Sequence, residues 1–226
     1  LALAVLTPLR ADAAERMRGI TVTEERIALV IGNAAYRVDP LDNPVNDARL
    51  VAQSLRQSGF AVRVHENLDR RSLVEALREF GNRLGENTIA VLYYAGHGLQ
   101  LRDRNFLIPV DAEIRSEDEI PIAGVDVSFL LGRMATARSR INIVILDACR
   151  NNPFSGAELL GPDGRKLKFR GLTPSGLAPV EAPLGSMVAF STAPGGVALD
   201  NPAEANSLYT KHLLAAMQAP GLPVEG

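Results

Sequence analysis

Residues 88–98 read Thr-Ile-Ala-Val-Leu-Tyr-Tyr-Ala-Gly-His-Gly, an apolar run that gives way to small residues around a histidine. Residues 141–150, Ile-Asn-Ile-Val-Ile-Leu-Asp-Ala-Cys-Arg, end in the same way, with a cysteine. Continuous apolar runs of this length are typical of strands that are buried on both faces of a parallel sheet. Parallel sheets bind their ligands at the carboxyl ends of their strands. The two runs therefore predict that His97 and Cys149 both lie at that edge of the sheet.

The remaining pattern surrounds these two strands with an alternation of strands and helices. Apolar runs predict strands over 25–32, 60–64, 88–94, 141–146 and 186–191, and helical periodicity predicts helices over 45–59, 70–84, 127–137 and 208–217. Residues 99–109, interrupted by a polar centre, predict a small hairpin beside the site. Such alternation predicts an α/β fold, with a mostly parallel central sheet flanked by helices on both faces.

Composition excludes several classes of partner. The 226 residues are 46% hydrophobic and 22% charged, with a formal net charge of −2, as in an ordinary soluble domain. This balance gives no electrostatic reason to bind nucleic acid or an anionic membrane. Trp is absent and aromatic residues make up 5% of the chain, so base-stacking platforms are not expected either. We therefore expect peptide or protein substrates, no nucleic acid and no stable membrane insertion.

The first 19 residues have the character of a leader. Leu1–Leu6 is a short apolar run, and Ala11-Asp12-Ala13 follows as a small-x-small site, as in the second half of a secretory signal peptide. This interpretation predicts export to the periplasm. A disordered, Ala-rich leader on a cytoplasmic protein is the alternative. The last residues, Ala219-Pro-Gly-Leu-Pro, suggest that the chain is cut inside a connection.

A lone cysteine and a histidine at strand ends suggest nucleophilic catalysis. A thiol attacks a carbonyl as the thiolate, so it needs a base and donors for the developing oxyanion. His97 can serve as the base, and the backbone N–H groups of Gly98 and Cys149 can form the oxyanion hole. The alternative is that Cys149 is a small buried apolar residue and His97 a turn residue.

The two stretches also resemble the signature blocks of a known enzyme family. Residues 93–98 (Tyr-Tyr-Ala-Gly-His-Gly) and 147–150 (Asp-Ala-Cys-Arg) are similar to the histidine and cysteine blocks of caspase-like cysteine peptidases, above all the bacterial orthocaspases, with metacaspases and paracaspases beside them. Further matches are Val30-Ile31-Gly32-Asn33 with Tyr36, Asn46-Asp47-Ala48, and Ser191-Thr192-Ala193-Pro194-Gly195 leading to Asp200. The resemblance implies a caspase–hemoglobinase fold over residues 25–226. It also implies peptide hydrolysis through an acyl-enzyme on Cys149, with His97 as base and then proton donor. The sequence indicates no third residue that orients His97.

The resemblance also implies which side chain is bound before the cut. Caspases that cleave after Asp carry Gln two residues before the cysteine, whereas this chain carries Asp147 there. In metacaspases and paracaspases, acidic residues at the positions that resemble Asp47, Asp147 and Asp200 bind a basic side chain, so we expect cleavage after Arg, with Lys second. Each acid has an alternative: Asp47 as an ordinary first-turn helix acid, Asp147 as a buried acid paired with a structural base, and Asp200 as a turn residue.

A long Gly- and Pro-rich segment, residues 156–185, separates a large-subunit-like part (25–155) from a small-subunit-like part (186–226). Thirty residues without apolar periodicity usually form a functional or flexible loop. Its basic residues match the expected specificity, which predicts self-cleavage after Arg170 or Arg165. A merely solvated basic loop is the alternative.

No cofactor or metal is predicted. His65 and His212 have no second thiol to form a zinc site with, and they suggest structural or surface roles. Some metacaspases need calcium, and Asp103, Glu117, Asp118 and Glu119 could gather around an ion, although a solvated loop explains them more simply. Two rival functions stay open: a non-catalytic caspase-like scaffold that binds partners, and a cysteine-dependent ligation. The oligomeric state stays open as well.

Overall fold

The computed structural model describes residues 24–102, 104–149, 182, 184–191 and 204–219, with Cys149 described by its backbone only. The strands are β1 (Glu25–Gly32), β2 (Ala61–Glu66), β3 (Thr88–Leu101), β4 (Arg104–Leu107), β5 (Val125–Asp126), β6 (Ile141–Cys149) and β7 (Ser186–Phe190). The helices are α1 (Pro44–Gln57), α2 (Arg70–Asn82), α3 (Ile120–Ala123), α4 (Val127–Ala137) and α5 (Leu208–Gln218). These elements confirm the predicted α/β alternation.

Five strands form a parallel sheet in the order β2-β1-β3-β6-β7. The central strand β3 is long enough to pair twice. Its first part pairs with β1 and β6, and its last residues turn to an antiparallel pairing with β4, which in turn pairs with β5. The hairpin predicted over 99–109 is therefore present, and it continues directly from the strand that carries His97.

Two apolar layers cover the sheet, and the alternation of β3 assigns its side chains to them. Leu92 and Tyr94 pack with residues of α2 and α4 on one face. Val91 and Tyr93 pack with α1 on the other face, where apolar residues of α5 complete the layer. Helices on both faces of a mostly parallel sheet confirm the predicted architecture.

Helix α1 begins close to the end of β1 because Gly32 carries no side chain. A Cβ atom on Gly32 would lie 2.5 Å from the carbonyl oxygen of Pro44 and 2.8 Å from the Cβ of Ala48. Real Cβ atoms do not approach that closely, so any other residue would push α1 away from the sheet. Glycine at this position therefore sets where the first turn of α1, and Asp47 within it, meets the strand ends.

The structure corrects the predicted ends of two strands. The strand predicted over 88–94 continues through His97 to Leu101, and the strand predicted over 141–146 continues to Cys149. The reason is tertiary: residues 95–97 keep their pairing with residues 147–149, although glycines and polar residues hide the strand pattern there. Short elements that no pattern predicted are a 3-10 turn over Glu117–Glu119, helix α3 and strand β5.

Candidate active site

The predicted base and nucleophile lie on neighbouring strands in register. His97 of β3 is the pairing partner of Cys149, the last residue of β6. Neighbouring strands are about 4.8 Å apart, so the sheet itself brings the two backbones together. The side chain of Cys149 lies outside what the structure describes. The sheet thus juxtaposes the two predicted residues at the carboxyl edge, as the sequence suggested.

The imidazole of His97 is buried, and a backbone carbonyl orients it. Its Nε2 atom lies 2.7 Å from the carbonyl oxygen of Asp39, in the connection between β1 and α1. A carbonyl oxygen can only accept a hydrogen bond, so Nε2 must carry the proton. In the neutral ring the lone pair is then on Nδ1, so Nδ1 is the ring nitrogen that can accept a proton. The sequence did not reveal Asp39, because a main-chain oxygen leaves no signature in residue type.

Gly96 allows the strand to pass beneath two tyrosines. Its φ angle is +152°, and a Cβ atom there would lie 2.5 Å from the Tyr36 hydroxyl oxygen and 3.0 Å from that of Tyr94. Glycine is therefore required here, because it adopts this φ angle without strain and has no side chain to collide with the two tyrosines. The next glycine, Gly98, pairs with Leu107 of β4. Its assignment to the oxyanion hole, together with the N–H of Cys149, stays a prediction.

Asp47 and Asp147 come together at the amino end of helix α5. Asp47 is 1% exposed and Asp147 is 7% exposed. The Asp47 carboxylate accepts hydrogen bonds from Asn206 Nδ2 at 2.7 Å and from the backbone N–H of Ser207 at 3.2 Å. Asp47 does stand in the first turn of α1, but its carboxylate faces the start of another helix. A first-turn role in α1 does not by itself explain these bonds to the start of α5, and the pocket role of Asp47 stays a prediction.

Ser207 links the two carboxylates. Its hydroxyl donates to Asp147 Oδ2 at 2.7 Å and accepts from the backbone N–H of Thr210 at 3.1 Å, which makes Ser207 the N-cap of α5. Asp147 Oδ2 also accepts from the hydroxyls of Thr210 at 2.9 Å and Tyr93 at 3.2 Å. Sequence reasoning missed Ser207, although a serine just before a helix is a recognisable capping signal.

The segment before α5 is held against the start of α1 by two side-chain amides. Asn43 Nδ2 donates to the Glu204 carbonyl at 2.8 Å, and Asn46 Nδ2 donates to the Ala205 carbonyl at 2.6 Å. These bonds bring residues that are about 160 positions apart in the chain to one place. They fix the position of Ser207 relative to Asp47.

The electrostatics of this acidic pair suit a cation. Burial raises the pKa of Asp47 to about 6, and the neighbouring Asp147 adds to the rise, while the bonds from Asn206 and Ser207 oppose it. Within the described part of the chain, no Lys or Arg forms an ion pair with either carboxylate. The structural base that the alternative for Asp147 requires is therefore not found among those residues. Two buried carboxylates held by neutral donors can bind a positively charged side chain.

The other predicted site residues are placed as follows. Asp200, Arg165 and Arg170 lie outside the described residues, as do the leader and almost all of the 156–185 segment. Of the four acids considered for calcium, Asp103 also lies outside them. Glu117–Glu119 form the 3-10 turn, where the carboxylate of Glu119 accepts the N–H of Arg115 at 2.6 Å. No group of three or more His, Cys, Asp or Glu residues in the described ranges could hold a metal ion.

Among the helices that the structure describes, none is both long and apolar enough to cross a membrane.

Comparisons with known proteins agree with this geometry. A family model for the caspase domain matches residues 25–225. Mucosa-associated lymphoid tissue lymphoma translocation protein 1 from Homo sapiens is 32% identical over 142 residues, which are 62% of this chain and 17% of that protein. The homolog of that protein from Mus musculus is 32% identical over 135 residues, 58% of this chain and 16% of the mouse protein. The chain thus spans about a sixth of the length of these relatives. Because the family model covers nearly all of the sequence and the sheet pairs the histidine with the cysteine of its two signature blocks, the chain belongs to the caspase-domain peptidase family.

Proposed function

We propose that this chain is a cysteine endopeptidase that cleaves after Arg, and second after Lys, with Cys149 as nucleophile and His97 as base. The observation that carries the specificity is the pair of buried carboxylates, Asp47 and Asp147, close to the end of the strand that carries Cys149. Asp147 lies two residues before Cys149, so one strand end supplies both the nucleophile and part of the pocket.

The reaction follows from the orientation of His97. Because Nε2–H is donated to the Asp39 carbonyl, Nδ1 takes the proton from the thiol of Cys149. The thiolate sulfur then bonds to the carbonyl carbon of the scissile peptide, and the negative charge on the carbonyl oxygen is stabilised by the N–H groups of Gly98 and Cys149. Collapse of this intermediate breaks the C–N bond, and His97 gives its proton to the leaving amine. Water, deprotonated by His97, then attacks the carbonyl carbon of the thioester, and collapse of this second intermediate breaks the C–S bond. His97 returns its proton to the sulfur, and the acid product loses its remaining proton to solvent to give the new carboxylate.

The buried acids select the residue before the cut. A guanidinium can bond to carboxylates through two parallel N–H donors, and an ammonium can do so as a point charge. An Asp side chain would meet like charge in a poorly solvated place. The pocket therefore favours Arg over Lys and excludes Asp. Asp200 is the third proposed pocket acid.

A panel of fluorogenic peptides that differ only at the residue before the cut tests this function. Arg, Lys, citrulline and Asp peptides would be compared with wild-type protein and with Cys149→Ala, each with and without calcium. Citrulline is the matched control because it keeps the shape of Arg and lacks its charge. We expect the order Arg, Lys, citrulline, Asp for wild-type protein and no cleavage by Cys149→Ala. Faster cleavage of the Asp peptide would refute the pocket, and undiminished cleavage by Cys149→Ala would refute the nucleophile.

The same family fold could instead serve as a non-catalytic scaffold. That function makes a different prediction, since a Cys149→Ala protein would keep its full biological effect. Cleavage of the Arg peptide that depends on both His97 and Cys149 would exclude it.

A further inference from the structure

The connection between β1 and α1 contacts His97 through Tyr36 as well as through Asp39. The Tyr36 hydroxyl accepts the backbone N–H of His97 at 2.8 Å and donates to the Ile108 carbonyl at 3.1 Å. The aromatic ring of Tyr36 lies against the imidazole, with 4.3 Å between ring centroids and 46° between ring planes. One side chain therefore contacts both the backbone and the ring of the proposed base.

We propose that Tyr36 is a positioning residue for the proposed reaction, because it sets the place and the tilt of the His97 imidazole from which Nδ1 receives the thiol proton. This inference rests on the proposed role of His97 as base. Tyr36 touches neither the substrate nor the sulfur in this proposal. It acts through His97 alone.

Tyr36 positions the backbone of His97. His97 lies where β3 changes partners: its carbonyl accepts the N–H of Ile108, and its N–H points to Tyr36. The Tyr36 hydroxyl thus provides the acceptor for a buried amide that would otherwise lose its hydrogen bond. A buried donor that loses its acceptor is costly, so His97 would shift to recover one.

Tyr36 also helps to orient the imidazole ring of His97. The Asp39 carbonyl at Nε2 and the Tyr36 ring on one side both contact the imidazole and hold its plane. Both come from the same short connection, in which Asp39 adopts a left-handed conformation with φ of 55°. A non-glycine residue rarely adopts this conformation unless its surroundings impose it. Since Tyr36 packs in the apolar cluster with Leu99 and Phe106, it anchors this connection to the protein.

The shape of strand β3 at Gly96 makes room for Tyr36. Gly96 admits the Tyr36 hydroxyl, because a Cβ atom there would lie 2.5 Å from it. Tyr94 supports the same arrangement, because its hydroxyl lies 2.9 Å from the His97 carbonyl oxygen and 2.9 Å from the Ile108 carbonyl oxygen and can donate its one proton to either. Burial holds the pKa of Tyr94 well above its ordinary value, so this hydroxyl remains a donor. Gly96 and the two tyrosines therefore form one hydrogen-bonded support around His97.

The test must separate positioning from general stability. Tyr36→Phe removes the hydroxyl and keeps the ring, so the fold should persist. Ile120→Val is the matched control, because it removes a methylene from the apolar cluster that also contains Tyr36 and costs stability of about the same size. Alkylation of Cys149 by iodoacetamide reports thiol activation without any peptide, and Cys149 is the only cysteine in the chain.

We expect Tyr36→Phe to lower both kcat for the Arg peptide and the alkylation rate about tenfold, with KM changed less than about twofold. In a His97→Ala background the same substitution should leave alkylation unchanged, because Tyr36 acts only through His97. Equal losses in both backgrounds would overturn the proposal, as would an equal loss in Ile120→Val. If wild-type protein cleaves no peptide, the peptidase proposal fails, while the alkylation cycle still decides the role of Tyr36.

Discussion

His97 and Cys149 are register partners on the adjacent parallel strands β3 and β6. This relationship does not depend on a flexible loop, because continuous backbone pairing from residues 89 and 141 onward sets it. The same strand end carries Asp147, which shares Ser207 with Asp47 across the start of α5. The proposed nucleophile, base and pocket therefore lie at one edge of the sheet, and each part can be tested separately.

Loss of the Asp147 charge should remove the preference for a basic residue. We expect Asp147→Asn to lower kcat/KM for the Arg peptide about 100-fold, because it removes a buried charge that pairs with the guanidinium. Cleavage of the citrulline peptide should change little. Asp111→Asn is the matched control, since it neutralises an exposed carboxylate that accepts the N–H of Arg70. A uniform loss on both peptides would show that Asp147 does not select charge.

The pH dependence of specificity should follow Asp47. Burial raises its pKa to about 6, so the carboxylate is protonated at pH values where an ordinary Asp is ionised. A basic side chain needs the ionised form, so the ratio of kcat/KM for Arg to that for citrulline should fall as pH drops through about 6. The ratio cancels every pH effect that acts equally on both peptides. In Asp47→Asn the ratio should not vary with pH over this range, and an unchanged fall there would assign the effect to another group.

Removal of the Ser207 hydroxyl should affect stability and specificity together. Ser207→Ala deletes the N-cap of α5 and one donor to Asp147, and we expect a loss of about 1 kcal/mol in the free energy of unfolding. KM for the Arg peptide should rise while kcat stays nearly constant. Asp69→Ala is the control, because it deletes the N-cap of α2, where Asp69 accepts the N–H of Ser72 at 2.7 Å, far along the chain from the pocket. A similar rise of KM in that variant would reduce Ser207 to a purely structural role.

Self-cleavage should be visible by intact mass. If the basic segment meets the proposed active site, protein that cleaves the Arg peptide should yield fragments that end at Arg170 or Arg165, and Cys149→Ala should remain whole. Arg165→Ala and Arg170→Ala identify which bond is cut. An intact chain in active protein, identical to Cys149→Ala, would remove this proposal.

Local patterns predicted most of the sheet and its helices. The apolar runs at 25–32 and 141–146 and the helical periodicity of α1 and α2 are strong because both faces of the sheet are buried. The same patterns placed the strand ends too early, since Gly96, His97 and Gly98 show no strand alternation. Their strand geometry comes from pairing with β6 and β4, which are distant in the chain.

The sequence predicted the candidate site residues but not the contacts that hold them in place. Residue types and the family resemblance predicted His97, Cys149, Asp47 and Asp147 as candidate site residues. The contacts that hold them were not visible, because they join distant positions, as in the bonds from residues 206 and 207 to Asp47, or use main-chain atoms, as in the Asp39 carbonyl. Neither kind of contact leaves a local pattern in the sequence.

Covalent capture tests in one measurement whether Cys149 is the nucleophile and whether the acidic pair selects a basic residue. A peptidyl chloromethyl ketone ending in Arg would be compared with its Asp-ending counterpart, and the modified residue located by peptide mass. We predict that the Arg reagent labels Cys149 at least about tenfold faster, and that the excess disappears in Asp147→Asn. Equal rates for the two reagents would show that the site does not select a basic residue. Labelling at a residue other than Cys149 would show that Cys149 is not the nucleophile.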